Sequence, residues 1–574
     1  MKEYIVTCKT HEDLQSLYDD METPGGSLHI PDRAVELLQR RNISRNTHYM
    51  LTEAEAYEIS QDSRVLACEL NPHDQGIEPH PMWTQTGDFD KTTSSLDSDD
   101  KNWGLYRLIK GDSVSNWGTD SSVLEVSNQT ISTTASGRNV DVVIADGHVN
   151  PDHPEFSVNP DGTGGSRMIQ FNWYQYSSAL GYSGTPATYP YSTSGASPNT
   201  NHGTHVAGTA CGNTQGWARD ANIYNIAYSG DLSGYGDSSW AQYLWDYVRY
   251  FHKNKPINTS TGRRNPTIMN NSWGSSLNIY LSDLGNVFNT AHNCNSVTYR
   301  GTTTDMSSMN NTQKKTTLES NGCPVPFNTY LRRVPNRNTA IDADIQDAIN
   351  DGVIVIAAAG NSYWNGENPT GPDYNNYVGF TYNGSNYIHY HSRGSTPAGA
   401  DNVISVGNIG TKVNEYKNPS SDWGYNVDIF APGTQIISAV FDQSSANSEG
   451  YGPFVADSRN SSYHLASISG TSMASPQVCG IIACLAEQEP NLTQAEALQH
   501  LIENSLSEIG TQGLPEQSPY EGLGDSENRY AFIPKKRPDS GMASPAQLHK
   551  NRNTESPTVT TGVKYPRTRI QVTS

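Results

Sequence analysis

The sequence predicts an α/β protein built on a central, mostly parallel sheet flanked by helices, with a small α+β unit at the N-terminus. Two observations predict the sheet. NVDVVIAD (139–146), NPTIMNNSW (265–273), GVIVIAAAGN (352–361) and NVISVGNI (402–409) are short, nearly continuous apolar runs flanked by Gly or Asn. That composition suits strands buried on both faces of a parallel sheet. Between them, SSWAQYLWDYVRYFHK and TAIDADIQDAIND carry helical periodicity. Such alternation implies right-handed crossovers, and reactive residues then fall at carboxyl ends of strands or at helix starts.

Taken in order, residues 1–72 read as strand (EYIVTCK), helix (HEDLQSLYDDMET), short strand (THYM), helix (LTEAEAYEISQD) and closing strand (RVLACEL). Residues 73–101 are polar, with Pro, Gly and a Ser/Asp run, and read as a linker exposed to processing. The main domain is expected over 102–505. It is interrupted at 277–338 by a Thr-, Asn- and Ser-rich insertion too long for an ordinary connection, expected to decorate the border of a cleft. A C-terminal extension spans 506–574, and its final stretch, 538–574, has a composition expected to remain without order.

Bulk properties exclude some functions. The formal net charge of −21 argues against a nucleic-acid-binding surface. The last 45 residues run the other way, with eight Lys/Arg against Asp539 and Glu555. No window supplies the run of about 20 apolar residues that a membrane helix needs. MKEYIVTCKTHEDLQ contains no apolar signal core. The compartment expected is therefore cytoplasmic or virion-associated rather than classically secreted. The seven cysteines are an odd count with no ligand-pair spacing, and free thiols are expected.

The chemistry is concentrated in three segments: VVIADGHVNPDHPEF (142–156), NHGTHVAGT (201–209) and SGTSMASP (469–476). They present Asp146, His202 and Ser472 in that order along the chain. A serine hydroxyl becomes a nucleophile when a base removes its proton, a third group holds the base, and donors await the oxyanion. Ser472 opens the apolar helix SMASPQVCGIIACLA, so its backbone N–H is free to donate. Pro476 is expected in the first turn, where a missing N–H costs little. His205, on the same helix face as His202, lacks a third metal ligand and reads as structural.

These motifs, their order and their flanks resemble the subtilisin-like (subtilase) serine proteases, peptidase family S8. The resemblance implies a three-layer subtilisin-like fold, with Ser472 as nucleophile, His202 as general base and Asp146 as its partner. Asn361, ending VIVIAAAGN, falls where the family places its side-chain oxyanion donor. The family usually has Ser or Thr after the Asp, and this chain has Gly147. SGYGDSS, through Gly234, Tyr235 and Gly236, resembles one peptide-binding edge. NSWGSS, through Ser272, Trp273 and Gly274, resembles the other and borders the pocket for the residue before the scissile bond. Trp273 stands where a smaller residue is common, which tilts the expected preference toward extended apolar or aromatic side chains.

LTEAEAYEIS followed by DSRVLACE resembles the family's inhibitory propeptide of the inhibitor I9 type. The implied protein is a self-processing serine endopeptidase zymogen that acts on polypeptides and is inhibited by its own propeptide. It would have no nucleic-acid or membrane partner, and a monomer is the default. No cofactor is required for the chemistry. Structural calcium is compatible with the family, with Glu155 as the candidate ligand, although ACGNTQGWARDANIYNIA lacks the longer Asn-rich loop found in some members. The alternative is a catalytically weak or silent subtilase-fold protein serving in binding or as a particle or assembly component. An esterase of the common fold is disfavoured, because GTSMA lacks the G-x-S-x-G elbow.

Overall fold

In a computed structural model of the chain, the residues described are 1–28, 35–40, 44–70, 83–89, 96, 98–99, 101–110, 128–182, 200–227, 240–280, 293–323, 331–382, 384–411, 415–510, 522–533 and 572–573. The chain divides into two compact units, Met1–His80 with Arg537–Pro566, and Pro81–Lys536 with Arg567–Ser574.

In the first unit, four antiparallel strands are ordered Glu36–Arg40, Asn46–Leu51, Lys2–Cys8, Val65–Leu70. Helices Leu14–Glu22 and Glu53–Ser60 cover the sheet through Leu17, Met21, Ala56 and Ile59, which share a core with Val6, Tyr49 and Leu51. Thr52 and Glu55 form a reciprocal capping box at the start of the second helix. The strand Glu36–Arg40 is an addition to the elements read from sequence.

The second unit is organised by a seven-stranded sheet ordered Ile429–Pro432, Ile404–Ile409, Ile354–Ala358, Thr267–Asn271, Asp141–Asp146, Asn222–Ala227, Met168–Ile169. Every adjacent pair is parallel. The pleat sends Val142 and Ile144 to one face and Val143 and Ala145 to the other. The first face is covered by helices Thr200–Cys211 and Thr471–Gln488, through residues such as Val206, Ala210, Val478 and Ile482. The second is covered by Trp240–Asn254 and Thr339–Asn350, through Leu244, Phe251, Ile341 and Ile345. This is the three-layer α/β arrangement expected from the apolar runs.

Much of residues 277–338 is ordered rather than loose. Strands Leu331–Pro335, Ser276–Tyr280, Asn293–Tyr299, Tyr377–Tyr382 and Ser385–Tyr390 are neighbours in that order, with Thr302–Asp305 pairing onto Asn293–Tyr299. With helix Asn311–Ser320 they enclose a separate core of Cys294, Val297, Met306, Leu318, Cys323, Val334, Trp364, Val378 and Phe380. Cys294 and Cys323 are both buried there, and all seven cysteines are free thiols.

Residues beyond 505 also join the second unit. Phe430 exchanges backbone hydrogen bonds with Arg529 and Ala531, each 2.8 Å. The fully buried ring of Tyr530 lies 4.2 Å from the Arg107 guanidinium, which pairs with Glu415 at 2.8 Å and Glu508 at 3.0 Å. Of 538–574, the described residues are Val572–Thr573, which pair antiparallel with Gln129–Thr133. Among the described residues, no helix is long and apolar enough to cross a membrane.

Candidate active site

Asp146 is the last residue of its strand and is fully buried. Helix Thr200–Cys211 can approach that strand end because Gly203 has no side chain. A Cβ there would come within 2.5 Å of the Gly147 carbonyl oxygen. His202 is consequently held over Asp146, its Nδ1 donating to Asp146 Oδ1 at 2.8 Å. The backbone N–H of Gly147 donates to the same oxygen at 2.8 Å. Oδ2 is buried with no hydrogen-bond partner among the described residues. Burial alone would lower the His202 pKa. The charge and hydrogen bond of Asp146, with a further contribution from Glu449, outweigh it, and the pKa is raised.

Ser472 is the second residue of helix Thr471–Gln488, where its backbone N–H has no intrahelical acceptor. Its hydroxyl donates to the Ser272 carbonyl oxygen at 3.2 Å rather than to the His202 imidazole. The position of Pro476 differs from the sequence reading. It is the sixth helical residue, so its missing N–H leaves the Ser472 carbonyl without its i+4 donor. The Ser272 hydroxyl takes that role at 2.9 Å. It also contacts Ser475 Oγ at 3.1 Å and accepts from Asn270 Nδ2 at 2.9 Å. Ser475 in turn donates to Asn270 Oδ1 at 2.8 Å. This cluster joins the helix of Ser472 to the end of strand Thr267–Asn271.

Asn361 follows the strand Ile354–Ala358. Its Oδ1 accepts from both the Thr471 N–H, at 2.9 Å, and the Thr471 hydroxyl, at 3.0 Å. That fixes the amide orientation and leaves the Nδ2 hydrogens available. A Cβ on Gly470 would lie 3.3 Å from this Nδ2, a tight contact beside the amide. Asn361, Ser472, Ser272, Trp273 and Gly274 line one cavity of about 140 Å³. Trp273 is half-buried and packs against the cluster beneath helix Trp240–Asn254. Gly234, Tyr235 and Gly236 lie outside the described residues.

His205 is fully buried, and its Nε2 faces the carbonyl oxygens of Ile436 and Ala466 at 3.0 and 3.1 Å. Burial lowers its pKa to about 3, which keeps the ring neutral.

Glu155, the candidate calcium ligand, is placed differently from that expectation. Its buried carboxylate pairs with the Arg459 guanidinium. It also accepts from the Thr214 hydroxyl at 2.5 Å and from the backbone N–H groups of Thr214 and Gln215. This donor set does not fit a metal ion, because the protein supplies its own cation there. Among the described residues, no cluster of three or more His, Cys, Asp or Glu side chains could hold a metal.

Sequence reasoning missed Thr471, Ser475, Asn270 and Arg459, although the first three lie inside quoted motifs. It also missed Arg333, which lines the Ser472 cavity from within the insertion. No local pattern marks Arg333 or Arg459, because Arg333 reaches the cavity through a distant strand pairing and the Arg459 side chain meets Glu155 304 residues away in the chain.

Residues 137–530 match the model of the Subtilase family. An alkaline proteinase of Hapsidospora chrysogena is 27% identical over 349 residues, 60% of this chain and 58% of that protein. Subtilisin-like protease 10 of Arthroderma otae is 32% identical over 192 residues, 32% of this chain and 35% of its own length. A solved structure of a cold adapted subtilisin-like serine proteinase is 20% identical, with a TM-score of 0.41, over 75% of this chain and 97% of that one. The chain thus spans between about a third and three-fifths of these two relatives' length. With the family match covering well over half of its residues, the chain belongs to the subtilase family.

Proposed function

We propose that the protein is a serine endopeptidase using Asp146, His202 and Ser472, produced as a self-processing zymogen. The observation that carries the reading is the double anchoring of Asn361 Oδ1 by Thr471, which leaves its amide hydrogens to donate in the cavity that also holds Ser472. An oxyanion formed there would receive the Asn361 amide and the Ser472 N–H. The Asp146–His202 pair supplies a base already oriented through Nδ1, so that Nε2 is the proton-accepting atom.

In the reaction, the Ser472 hydroxyl turns from the Ser272 carbonyl toward His202 and loses its proton to Nε2. Oγ bonds to the substrate carbonyl carbon, and Asp146 stabilises the resulting imidazolium. The imidazolium returns the proton to the leaving amine as the peptide C–N bond breaks. A water, deprotonated by His202, then releases the acyl group. The substrate is an extended polypeptide pairing with the segment Ser272–Gly274 and with Gly234–Gly236. The N-terminal unit, an antiparallel sheet with two helices and its own core, suits a removable inhibitory propeptide, with cleavage in 73–101.

Intact mass of the wild-type protein beside Ser472→Ala tests both parts. The expected result is a wild type shortened by roughly its first 75–100 residues and an uncut variant. A fluorophosphonate should label the wild type at Ser472. An unlabelled Ser472 in a folded wild type overturns the enzyme reading, and processing that persists in purified Ser472→Ala overturns self-cleavage.

A further inference from the structure

The strand Leu331–Pro335 comes from the insertion and pairs antiparallel with Ser276–Tyr280, placing Asn278 opposite Arg333 and Ser276 opposite Pro335. The pleat buries Val334 in the core of that sheet and turns Arg333 and Pro335 to the other side, where both line the cavity that holds Ser472 and Asn361. The backbone here is clamped on two sides. Trp364 Nε1 donates to the Arg333 carbonyl at 2.7 Å, and the Asn336 N–H donates to the Ser275 carbonyl at 2.9 Å. Arg333 itself is exposed, and its guanidinium makes no hydrogen bond or ion pair among the described residues. The opposing charge in the cavity is Asp422, nearly buried, whose Oδ1 accepts from the backbone N–H groups of Ser362 and Trp364, each at 2.9 Å. The carboxylate is thus engaged by amides, whereas the guanidinium presents its donors to whatever enters.

We propose that Arg333 makes this cavity selective for an acidic side chain, Asp or Glu, at the residue immediately before the scissile bond. The proposal rests on the protease reading and names its substrate class. A guanidinium offers a carboxylate paired, charge-assisted hydrogen bonds that a neutral amide cannot match. The cavity's polar rim, with Ser275, Ser276, Ser362 and Ser395, suits such a side chain better than the apolar one suggested by Trp273. Trp273 also lines the cavity, but much of its ring packs against the hydrophobic cluster under the opposite helix layer.

The test is hydrolysis at pH 8 of three peptide p-nitroanilides that differ only in Glu, Gln or Lys before the cleaved bond. Wild type, Arg333→Gln and Arg333→Glu are compared by kcat/KM. Wild type is expected to favour Glu over Gln about tenfold. The ratio should fall to about one in Arg333→Gln, and preference should move to Lys in Arg333→Glu. Cleavage of the Gln peptide by the variants reports that they are folded. A wild-type ratio that shrinks with added salt gives a reading independent of any variant. A wild-type ratio at or below one, or one unchanged in folded Arg333→Gln, overturns the proposal and leaves the protease reading standing. Best cleavage of the Lys peptide by wild type would transfer the selectivity to Asp422 and equally overturn it. No cleavage of any peptide, with Ser472 unlabelled by the fluorophosphonate, overturns both readings together.

Discussion

Asp146 and Glu155 are close in sequence and both fully buried, yet their surroundings are opposite. Glu155 is saturated: a guanidinium, a hydroxyl and two backbone N–H groups meet its carboxylate. Burial by itself would raise its pKa, but Arg459, Thr214 and the other donors hold it well below the usual carboxylate range, at about 2. Asp146 has donors on one oxygen and none on the other among the described residues. A saturated carboxylate is a structural tie. An undersatisfied one keeps its charge available, and the recipient is His202, whose pKa is raised. The same carboxylate group is thus spent on cohesion at Glu155 and left to act on His202 at Asp146, a few residues away.

The comparison breaks most visibly at Asp146. Asp146→Asn should lower kcat about 10³- to 10⁴-fold, because an amide neither stabilises the imidazolium nor reliably selects its tautomer. Its melting temperature should remain near that of wild type. Steady-state hydrolysis beside a thermal melt checks this, and a loss under tenfold would remove Asp146 from the assigned role.

At Glu155 the expected effect is on stability. Arg459→Met strands the buried carboxylates of both Glu155 and Asp457 and should cost about 3–5 kcal/mol in urea unfolding, with kcat per folded molecule retained. The pH dependence follows in sign. A depressed folded-state pKa gives stability that is present above the ordinary Glu value and is lost as pH falls toward about 2. The gap between wild type and Arg459→Met should therefore narrow on acidification through that window. A gap that is constant with pH would show that Arg459 acts by packing alone.

The smallest expected effect sharpens the catalytic side. Glu449 helps raise the His202 pKa and accepts from Asn201 Nδ2 at 2.9 Å, a bond that Gln preserves. His202 must be neutral to accept a proton, so a raised pKa moves the acid limb of kcat/KM upward from the ordinary imidazole value. Glu449→Gln should move that limb down by a few tenths of a pH unit, with kcat on the alkaline plateau unchanged. An unmoved limb would leave Asp146 as the sole source of the shift.

The second unit's central layer was legible because burial on both faces writes itself into composition. VVIAD, TIMNN, VIVIAA and VISVGNI became strands Asp141–Asp146, Thr267–Asn271, Ile354–Ala358 and Ile404–Ile409. Strands Met168–Ile169 and Ile429–Pro432 are too short to carry a period, and ANIYNIA mixes polar residues into Asn222–Ala227. The insertion was opaque for a different reason. Its strands present one half-buried face, and Asn293–Tyr299 pairs with Tyr377–Tyr382 across a long stretch of chain, so polar Thr and Asn are as frequent as apolar residues.

What the sequence determined alone was the placement of three polar residues and their order: an Asp ending an apolar strand, a His opening a helix, and a Ser near the start of another. Those identities are local, because backbone periodicity and helix ends act over a few residues. What tertiary structure decided was which charges meet. Arg459 reaches Glu155, Ser272 replaces the donor that Pro476 lacks, and Arg333 enters the cavity of Ser472. The physical reason is that packing and strand register, rather than sequence distance, set the separation over which charges and hydrogen bonds act.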